Sequence, residues 1–567
     1  MAGHELEPGR ADAERPASGL LVTSVISAGV RERINDALHQ AVRALGVEGD
    51  IPDLELGRAK VPEHGDYASS AGLKLARVLR SRPDEIAVRL AEKVVVPEGA
   101  ATAAAEKGYV NFRLTDDWLR QLVTRIAPGY GGRDIGRGER LQVEFGSVNP
   151  TGPLHIGHGR GVTLGDSLCR LLEFTGHSVQ REYYVNSDNT QTRRFGASVY
   201  ARLHGKEPPE GGYTGDYVVE LADMARHDLP GIDTVPEEEA EPKLRMYAIE
   251  KMVERIRATV ARLSVRYDEW YYENKLWETG LPQRAIERLR ESGHIKERDG
   301  ALWFGEPNDE EEDRVVIRAN GQPTYFASDL GYLLSRFEQR DFNRVIEVWA
   351  SDHHGYVPRM KSAAAALGFD PQKLVIILHQ MVNLKEGKMS KRAGRFVTLD
   401  ELVDRVGSDA VRYFYLLRSP DTTIEFDLEL AVTQGSENPV YYAQYAHARL
   451  SNVEVAAAER HPRLPETADV TLLGHQWELD VARQLAFWPD IVEDATAVLE
   501  PHRIPYYVHD LATAVHRFYH AGNAQREHRV VVDDPELARA RLELCRAARH
   551  TLKTALELMG VSAPERM

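Results

Sequence analysis

Leu141-Gln142-Val143-Glu144-Phe145, followed by Asn149-Pro150-Thr151-Gly152-Pro153-Leu154-His155-Ile156-Gly157-His158-Gly159-Arg160-Gly161, reads as a strand, a Pro/Gly-rich loop and the first turn of a helix. A glycine-rich turn between strand and helix lets a ligand approach the backbone, and a helix N-terminus offers free N–H groups and the positive end of a dipole to phosphate. His155 and His158 add imidazole donors able to meet the same anion. The lysine of Gly-x-x-x-x-Gly-Lys-Ser/Thr is missing, and Leu164 stands where Gly-x-Gly-x-x-Gly needs a third small residue, so neither common phosphate fingerprint fits. Taken alone, the histidine pair is also compatible with a structural turn or a metal site. A zinc reading needs a third matching ligand, and none is obvious nearby.

Outward from this stretch, strand and helix alternate. A helix is expected from about His158 to Phe174 and strands over Val179–Val185, Val345–Trp349 and Leu374–Leu378, with a helix over Val357–Leu367 between the last two. This grammar predicts an α/β fold with a doubly wound parallel sheet whose ligand lies at the carboxyl ends of the strands. Upstream, Val30, Ile34, Leu38 and Val42 recur at helical spacing, and Gly108–Leu114 alternates like a half-buried strand. Ala101–Ala105 is small and featureless, and His64-Gly65-Asp66-Tyr67 is turn-prone. Downstream, helical periodicity dominates from about Leu428. The expected organisation is a solvated tail (1–19), an N-terminal α+β domain (20–130, ending at the loop Pro128–Arg133), a catalytic domain (131–425) and an all-helical C-terminal domain (426–567). Within the catalytic domain, Leu203–Pro242 is Gly/Pro-rich and then acidic at Glu237-Glu238-Glu239, which marks a surface insertion of about 203–265. The acidic run Asp309–Asp313 reads as a solvated hairpin tip.

The chain of 567 residues is 43% hydrophobic and 28% charged, which suits a globular protein with ample core. Its 71 Lys and Arg against 87 Asp and Glu give a net charge of -16, so a general basic coat for nucleic acid or membrane is excluded, while a local basic groove is not. Cys169 and Cys545 are too few and too far apart for a disulfide framework. The first residues lack an apolar core of signal-peptide type, and Leu20–Val30 is too short to span a bilayer. A cytoplasmic monomer, away from membranes, is expected.

A second stretch, Gly387-Lys388-Met389-Ser390-Lys391-Arg392-Ala393-Gly394, sets cations between glycines soon after the strand ending at Leu378. A basic loop alone is usually solvated surface. Facing a triphosphate, it is a clamp that gains strength as charge shifts onto leaving pyrophosphate.

Together the two stretches resemble the paired signatures of class I aminoacyl-tRNA synthetases, His-Ile-Gly-His at 155–158 and Lys-Met-Ser-Lys at 388–391. Within that class the chain resembles the arginyl-tRNA synthetases. The supporting segments are Val143-Glu144-Phe145, Ser147, Asn149–Leu154, Asp352-His353-His354-Gly355-Tyr356, Asn438-Pro439-Val440-Tyr441-Tyr442 and Ala563–Met567, and the likeness runs from His64-Gly65-Asp66-Tyr67 to the last residue.

The resemblance implies a Rossmann-like catalytic domain, an N-terminal domain that contacts the tRNA corner, and a C-terminal anticodon-binding domain. It implies ATP-dependent ligation of L-arginine to tRNA(Arg): arginine's carboxylate attacks the α-phosphate, and the adenylate then acylates the 2′-hydroxyl of the terminal adenosine. Mg2+ would accompany ATP rather than occupy a protein cage. Carried onto this sequence, His155 and His158 meet the phosphates, and Lys388 and Lys391 meet the pyrophosphate with Met389 and Ser390 beside them. Gly157 and the Met381-Val382 backbone approach the adenosine. Ser147 and Asn149 hold arginine's α-amino and carboxylate groups, and Glu273, Tyr325 and Asp329 hold its side chain. The physics agrees, because a planar, permanently charged guanidinium calls for carboxylates in bidentate arrangement. For Asp329 a helix-start role is the alternative. His353, with Asp352 and His354, lies near the ribose or arginine, or else in a folded-in polar cluster. Tyr441, Tyr445 and Arg449 would stack on and bond to tRNA, the alternative being a helical core stripe.

One departure stands out. After Glu182–Asn186 the family commonly reads Asp and soon after Gly, whereas here stand Ser187, Asp188, Asn189 and Thr190 before Gln191. This segment borders the expected site, so a paralogue with another amino acid or acceptor is the competing enzyme reading. A non-catalytic RNA-binding protein would need degenerate signatures, and both are intact.

Overall fold

A computed structural model describes residues 29–305, 314–385, 397–461 and 463–567. Lys388, Met389, Ser390 and Lys391, the 1–19 tail and the acidic run 309–313 lie outside the described residues.

The chain has the expected α/β fold. Five parallel strands form its central sheet: β1 Arg140–Phe145, β2 Ser178–Val185, β3 Glu269–Tyr272, β4 Arg344–Ala350 and β5 Leu374–His379, in the order β5-β4-β1-β2-β3. From β1 the chain steps outward to β2 and β3, then returns to the other side of β1 for β4. That reversal opens a crevice at the carboxyl ends of β1 and β4, where doubly wound sheets bind ligands. Four of the strands match the expected ones. The fifth, β3, is only Glu-Trp-Tyr-Tyr, without alternation, and is an edge strand held partly by stacking of Trp270 on Tyr183 at 4.6 Å.

Helix α1, Ile156–Phe174, follows β1 and is buried along most of its length between the sheet and later helices. Its approach to β1 needs Gly165, where a Cβ would lie 2.1 Å from the Phe145 ring. The insertion is largely helical. After α2 Thr190–Leu203, helices α3 Asp216–Asp228 and α4 Glu237–Arg262 close with it on a core that includes Phe195, Val218 and Leu244, and most of the insertion's Gly and Pro lie in the connections between these helices. Glu237, Glu238 and Glu239 form the first turn of α4, where the helix dipole favours negative charge.

Helix α5, Tyr325–Leu334, and the turns after it cover the sheet. Beneath them Glu347, Glu144, Glu182 and Glu269 stand abreast on β4, β1, β2 and β3. Like charges side by side repel, and each acid here has a resident cation. Arg336 bonds Glu347 and lies 3.4 Å from Glu144, Arg340 grips both oxygens of Glu182, and Lys275 meets Glu269 at 3.1 Å.

In the N-terminal part, helices Val30–Ala44, Ala71–Leu79 and Pro83–Lys93 accompany an antiparallel sheet. Ala101–Ala105, featureless in composition, is a strand: Ala101–Glu106 pairs residue for residue with Tyr109–Leu114. Alanine's weak strand preference hides what cross-strand pairing imposes. The C-terminal part is helical, with α6 Pro439–Arg460, α7 Gln476–Ala497, α8 Arg503–Ala524 and α9 Pro535–Leu558. The His64–Tyr67 turn packs against α7. Asp66 pairs with Arg483 at 3.0 Å, Tyr67 donates its hydroxyl to Asp490 at 2.6 Å, and Arg58 lies 4.1 Å over the Phe487 ring. Trp488 donates to the carbonyl of Tyr130 at 2.8 Å. Among the described residues no helix is long and apolar enough to cross a membrane.

Candidate active site

The histidine turn opens α1 at the carboxyl end of β1. His155 is the N-cap, and its Nδ1 accepts the Gly157 N–H at 3.1 Å, while His158 Nδ1 accepts the His155 N–H at 3.2 Å. The two rings stack with centroids 3.3 Å apart. With both Nδ1 atoms accepting, a neutral ring carries its proton on Nε2 and is a donor there. Burial lowers the His155 pKa, and burial beside His155 and His379 pushes His158 down to about 3. Both rings are therefore neutral donors near neutral pH, an arrangement suited to anionic oxygens. Gly161 lets α1 pass His379, since a Cβ there would fall 2.8 Å from its Nε2.

The described residues on either side of the second signature bond to this turn and to α1. Val397 accepts the Ile156 N–H at 3.2 Å, and Leu399 donates to Leu154 at 2.8 Å. On the other flank Arg160, buried in α1, donates to the carbonyl of Gln380 at 2.8 Å. Val382 is buried and pairs in parallel with Ile424, whose N–H takes the Met381 carbonyl at 3.1 Å. That carbonyl is thus engaged within the protein.

Beside the crevice, Glu273 follows β3 and is buried. Its Oε2 accepts the N–H groups of Ser187 at 3.1 Å and Asp188 at 3.4 Å, and its Oε1 accepts the Ser328 hydroxyl at 2.9 Å. Asp329, next to Ser328 on α5, accepts the Tyr356 hydroxyl. The helix-start alternative for Asp329 fails, because α5 begins at Tyr325 with Thr324 as its N-cap. Tyr325 lies one turn before Asp329 and is 46% exposed. Burial raises the Glu273 pKa against the three hydrogen bonds it accepts. Burial likewise pushes Asp329 up to about 7, opposed by the Tyr356 hydroxyl and reinforced by the charge of Glu347. Among the described residues no Lys or Arg forms an ion pair with either acid, in contrast to the four glutamates of the sheet.

Ser147 accepts the Tyr184 N–H at 2.9 Å, which ties it to β2. Asn149 accepts from Asn189 at 3.0 Å and donates to Gln191 at 2.6 Å. The unusual segment 187–191 therefore touches both Asn149 and Glu273. His353 occupies the short helical turn Ser351–Tyr356 after β4 with its side chain 61% exposed, beside Asp352 and Trp349. The member of that turn that reaches Asp329 is Tyr356, which sequence reasoning quoted without assigning. Ser328 and the N–H groups of Ser187 and Asp188 were missed as well. Backbone donors leave no signal in residue type.

On α6, Tyr441 and Tyr445 stack at 5.6 Å, and Arg449 lies 4.4 Å over Tyr445 and 4.3 Å over Tyr519. Tyr445 is exposed and Ala448 buried, so the tyrosines are not a core stripe.

Family comparisons converge on one group. The family model described as the arginyl tRNA synthetase N-terminal domain matches residues 29–114, that of the class I (R) tRNA synthetase catalytic domain matches 129–207 and 234–452, and that of the DALR anticodon binding domain matches 443–567. The arginine–tRNA ligase of Moorella thermoacetica is 41% identical over 561 residues, spanning 95% of this chain and 99% of its own. That of Desulforudis audaxviator is 42% identical over 570 residues, spanning 96% and 100%. The solved arginyl-tRNA synthetase of Thermus thermophilus shares the fold with a TM-score of 0.76 at 24% identity, covering 95% of this chain and 100% of that one.

Proposed function

We propose residue roles from one premise: the chain belongs to the arginyl-tRNA synthetase family and is an arginine–tRNA ligase that charges tRNA with arginine for translation. The reaction of this class uses ATP. The observation that carries the site assignment is the pair Glu273 and Asp329, two acids at the sheet's carboxyl edge that form no ion pair among the described residues, where the four glutamates of the sheet each have one. A guanidinium supplies the missing charge and enough donors to bridge both carboxylates.

In this reading Glu273, Asp329 and Tyr325 receive the arginine side chain, and Ser147 and Asn149 receive its α-amino and carboxylate groups, with His353 at the rim. The carboxylate oxygen attacks the α-phosphorus of ATP, and the bond to pyrophosphate breaks. His155 and His158 donate from Nε2 to phosphate oxygens, while Lys388 and Lys391, with Met389 and Ser390, receive the leaving pyrophosphate. Gly157 and Val382 flank the adenosine, and Mg2+ accompanies the triphosphate. The 2′-hydroxyl of tRNA's terminal adenosine then attacks the arginyl carbonyl, and AMP leaves. Positioning and charge carry the rate, and no side-chain nucleophile is required.

For the rest of the molecule we assign tRNA contacts to the Tyr441, Tyr445 and Arg449 ladder. The division is an N-terminal tRNA-binding domain (20–130), a catalytic domain (131–425) and an anticodon-binding domain (426–567), in a cytoplasmic monomer.

The test is arginine-dependent pyrophosphate exchange in the presence of tRNA(Arg), run on Glu273→Gln and Asp329→Asn. Each is expected to raise the arginine KM, because a neutral amide cannot satisfy the cation. An unchanged KM in both would move the pocket elsewhere. Running the wild type over all twenty amino acids separates this reading from that of a paralogue with another substrate.

A further inference from the structure

The turn 187–191 carries both ends of the arginine site. Its first two N–H groups hold Glu273, and its Asn189 and Gln191 side chains hold Asn149. Asn189 is also the N-cap of α2, accepting the Thr192 N–H at 2.9 Å, so its own position is fixed by the helix it starts.

On its outer side the turn is gripped through Asp188. Arg193 of α2 donates to both carboxylate oxygens, at 2.8 and 3.2 Å, and Arg245 of α4 donates to Oδ1 at 2.5 Å. The two arginines differ in kind. Arg193 is a near neighbour in sequence with its side chain 51% exposed, where an ion pair adds little. Arg245 comes from 57 residues further along the chain and is only 13% exposed. It stands on a rigid support: α4 packs so closely on α2 that a Cβ at Gly196 would come within 2.7 Å of the Arg245 side chain and 2.4 Å of the Glu241 carboxylate. Glu241 Oε1 lies 3.8 Å from Arg245 Nε, one turn earlier on the same helix.

We propose that Arg245 is a positioning residue for amino-acid binding: through Asp188 it fixes the 187–191 turn against the inserted helices, and so holds Glu273 and Asn149 at the spacing that arginine requires. The inserted helices then set amino-acid recognition without touching the substrate. The unusual Ser187–Thr190 sequence fits this role. Asp188 supplies the carboxylate that Arg245 grips, while Ser187 contributes only its backbone N–H to Glu273. The inference rests on the reading of Glu273 and Asn149 as arginine-binding groups.

The experiment is steady-state pyrophosphate exchange with tRNA(Arg) on Arg245→Gln, Arg245→Lys and Asp188→Asn, with Glu273→Gln as control. The expected result is an arginine KM about tenfold higher in Arg245→Gln and in Asp188→Asn, with ATP KM and kcat within about twofold of wild type. Because both changes act through one contact, the double variant should be no worse than the worse single. Arg245→Lys should recover part of the loss, since a lysine can still reach one oxygen. A purely structural arginine would lower the Tm and raise the arginine and ATP KM values together, and that outcome overturns the proposal. So does an unchanged arginine KM in Arg245→Gln when Glu273→Gln raises it. An unchanged KM in the Glu273→Gln control removes instead the pocket reading beneath the proposal. Should Arg245→Gln fail to fold, Asp188→Asn carries the test, because its carboxylate is half exposed and tolerates the change.

Discussion

Arginine binding should be coupled to proton release through Asp329. In the free protein burial pushes this carboxyl up to about 7, so near neutral pH it is about half protonated. A guanidinium beside it favours the charged form, so the complex holds Asp329 ionised. The sign follows: affinity is full above pH 7 and is lost as pH falls through that value, because a proton must leave before the cation can bind. For a single group at about 7, the apparent Kd for arginine rises roughly tenfold between pH 8 and pH 6. At pH 7 binding should release about half a proton. The raised pKa of Glu273 acts in the same direction and steepens the dependence. Isothermal titration of arginine into the protein, at three pH values and in two buffers of different ionisation enthalpy, reads both quantities. Asp329→Asn should bind arginine weakly, with a much flatter pH profile. An arginine Kd constant within about twofold from pH 6 to 8 in the folded wild type, or proton uptake on binding, would refute the reasoning.

Other outcomes can be checked independently. His158→Ala and Lys391→Ala should each lower the rate of adenylate formation about 100-fold while leaving tRNA affinity within about twofold, as read by single-turnover exchange and filter binding. Gly165→Ala drives a methyl into Phe145 and should cost about 1–3 kcal/mol in denaturant unfolding. Tyr445→Ala should raise the tRNA KM about tenfold with the arginine KM unchanged. Burial pushes Asp490 up to about 6, so its contribution favours the fold at low pH and is lost as pH rises through that value. Asp490→Asn should accordingly gain on the wild type between pH 4 and 7 in thermal melts.

Much of the catalytic domain was legible because its signals are local. Strands β1, β2, β4 and β5 are short runs rich in β-branched, aromatic and leucine residues, and the histidine turn announces itself by glycines whose absent side chains the packing requires. Strand β3 was not legible, since four residues at a sheet edge draw their conformation from Tyr183 and the rest of β2. Ala101–Ala105 failed for the same reason, being a strand through its partner rather than its composition. The acids of the proposed pocket came from residue type carried over from the family. What sequence could not display was the contrast that gives them meaning, namely which carboxylates already have a cation. That depends on Arg336, Arg340 and Lys275 arriving from elsewhere in the chain. The helices of the insertion left little trace in composition, because Gly and Pro between them and the acidic first turn of α4 dominate its reading.

The seam formed by Asp66, Tyr67 and Tyr130 against α7 bears on how the molecule can be cut. Trp488 and Phe487 owe part of their shelter to residues near the start of the chain, so a fragment beginning at about 426 would bare an indole and leave Asp490 without its phenol. Shortened versions should therefore be made from the two outer modules together or not at all. Any descendant that sheds the leading module must first re-surface the helix it leaves behind.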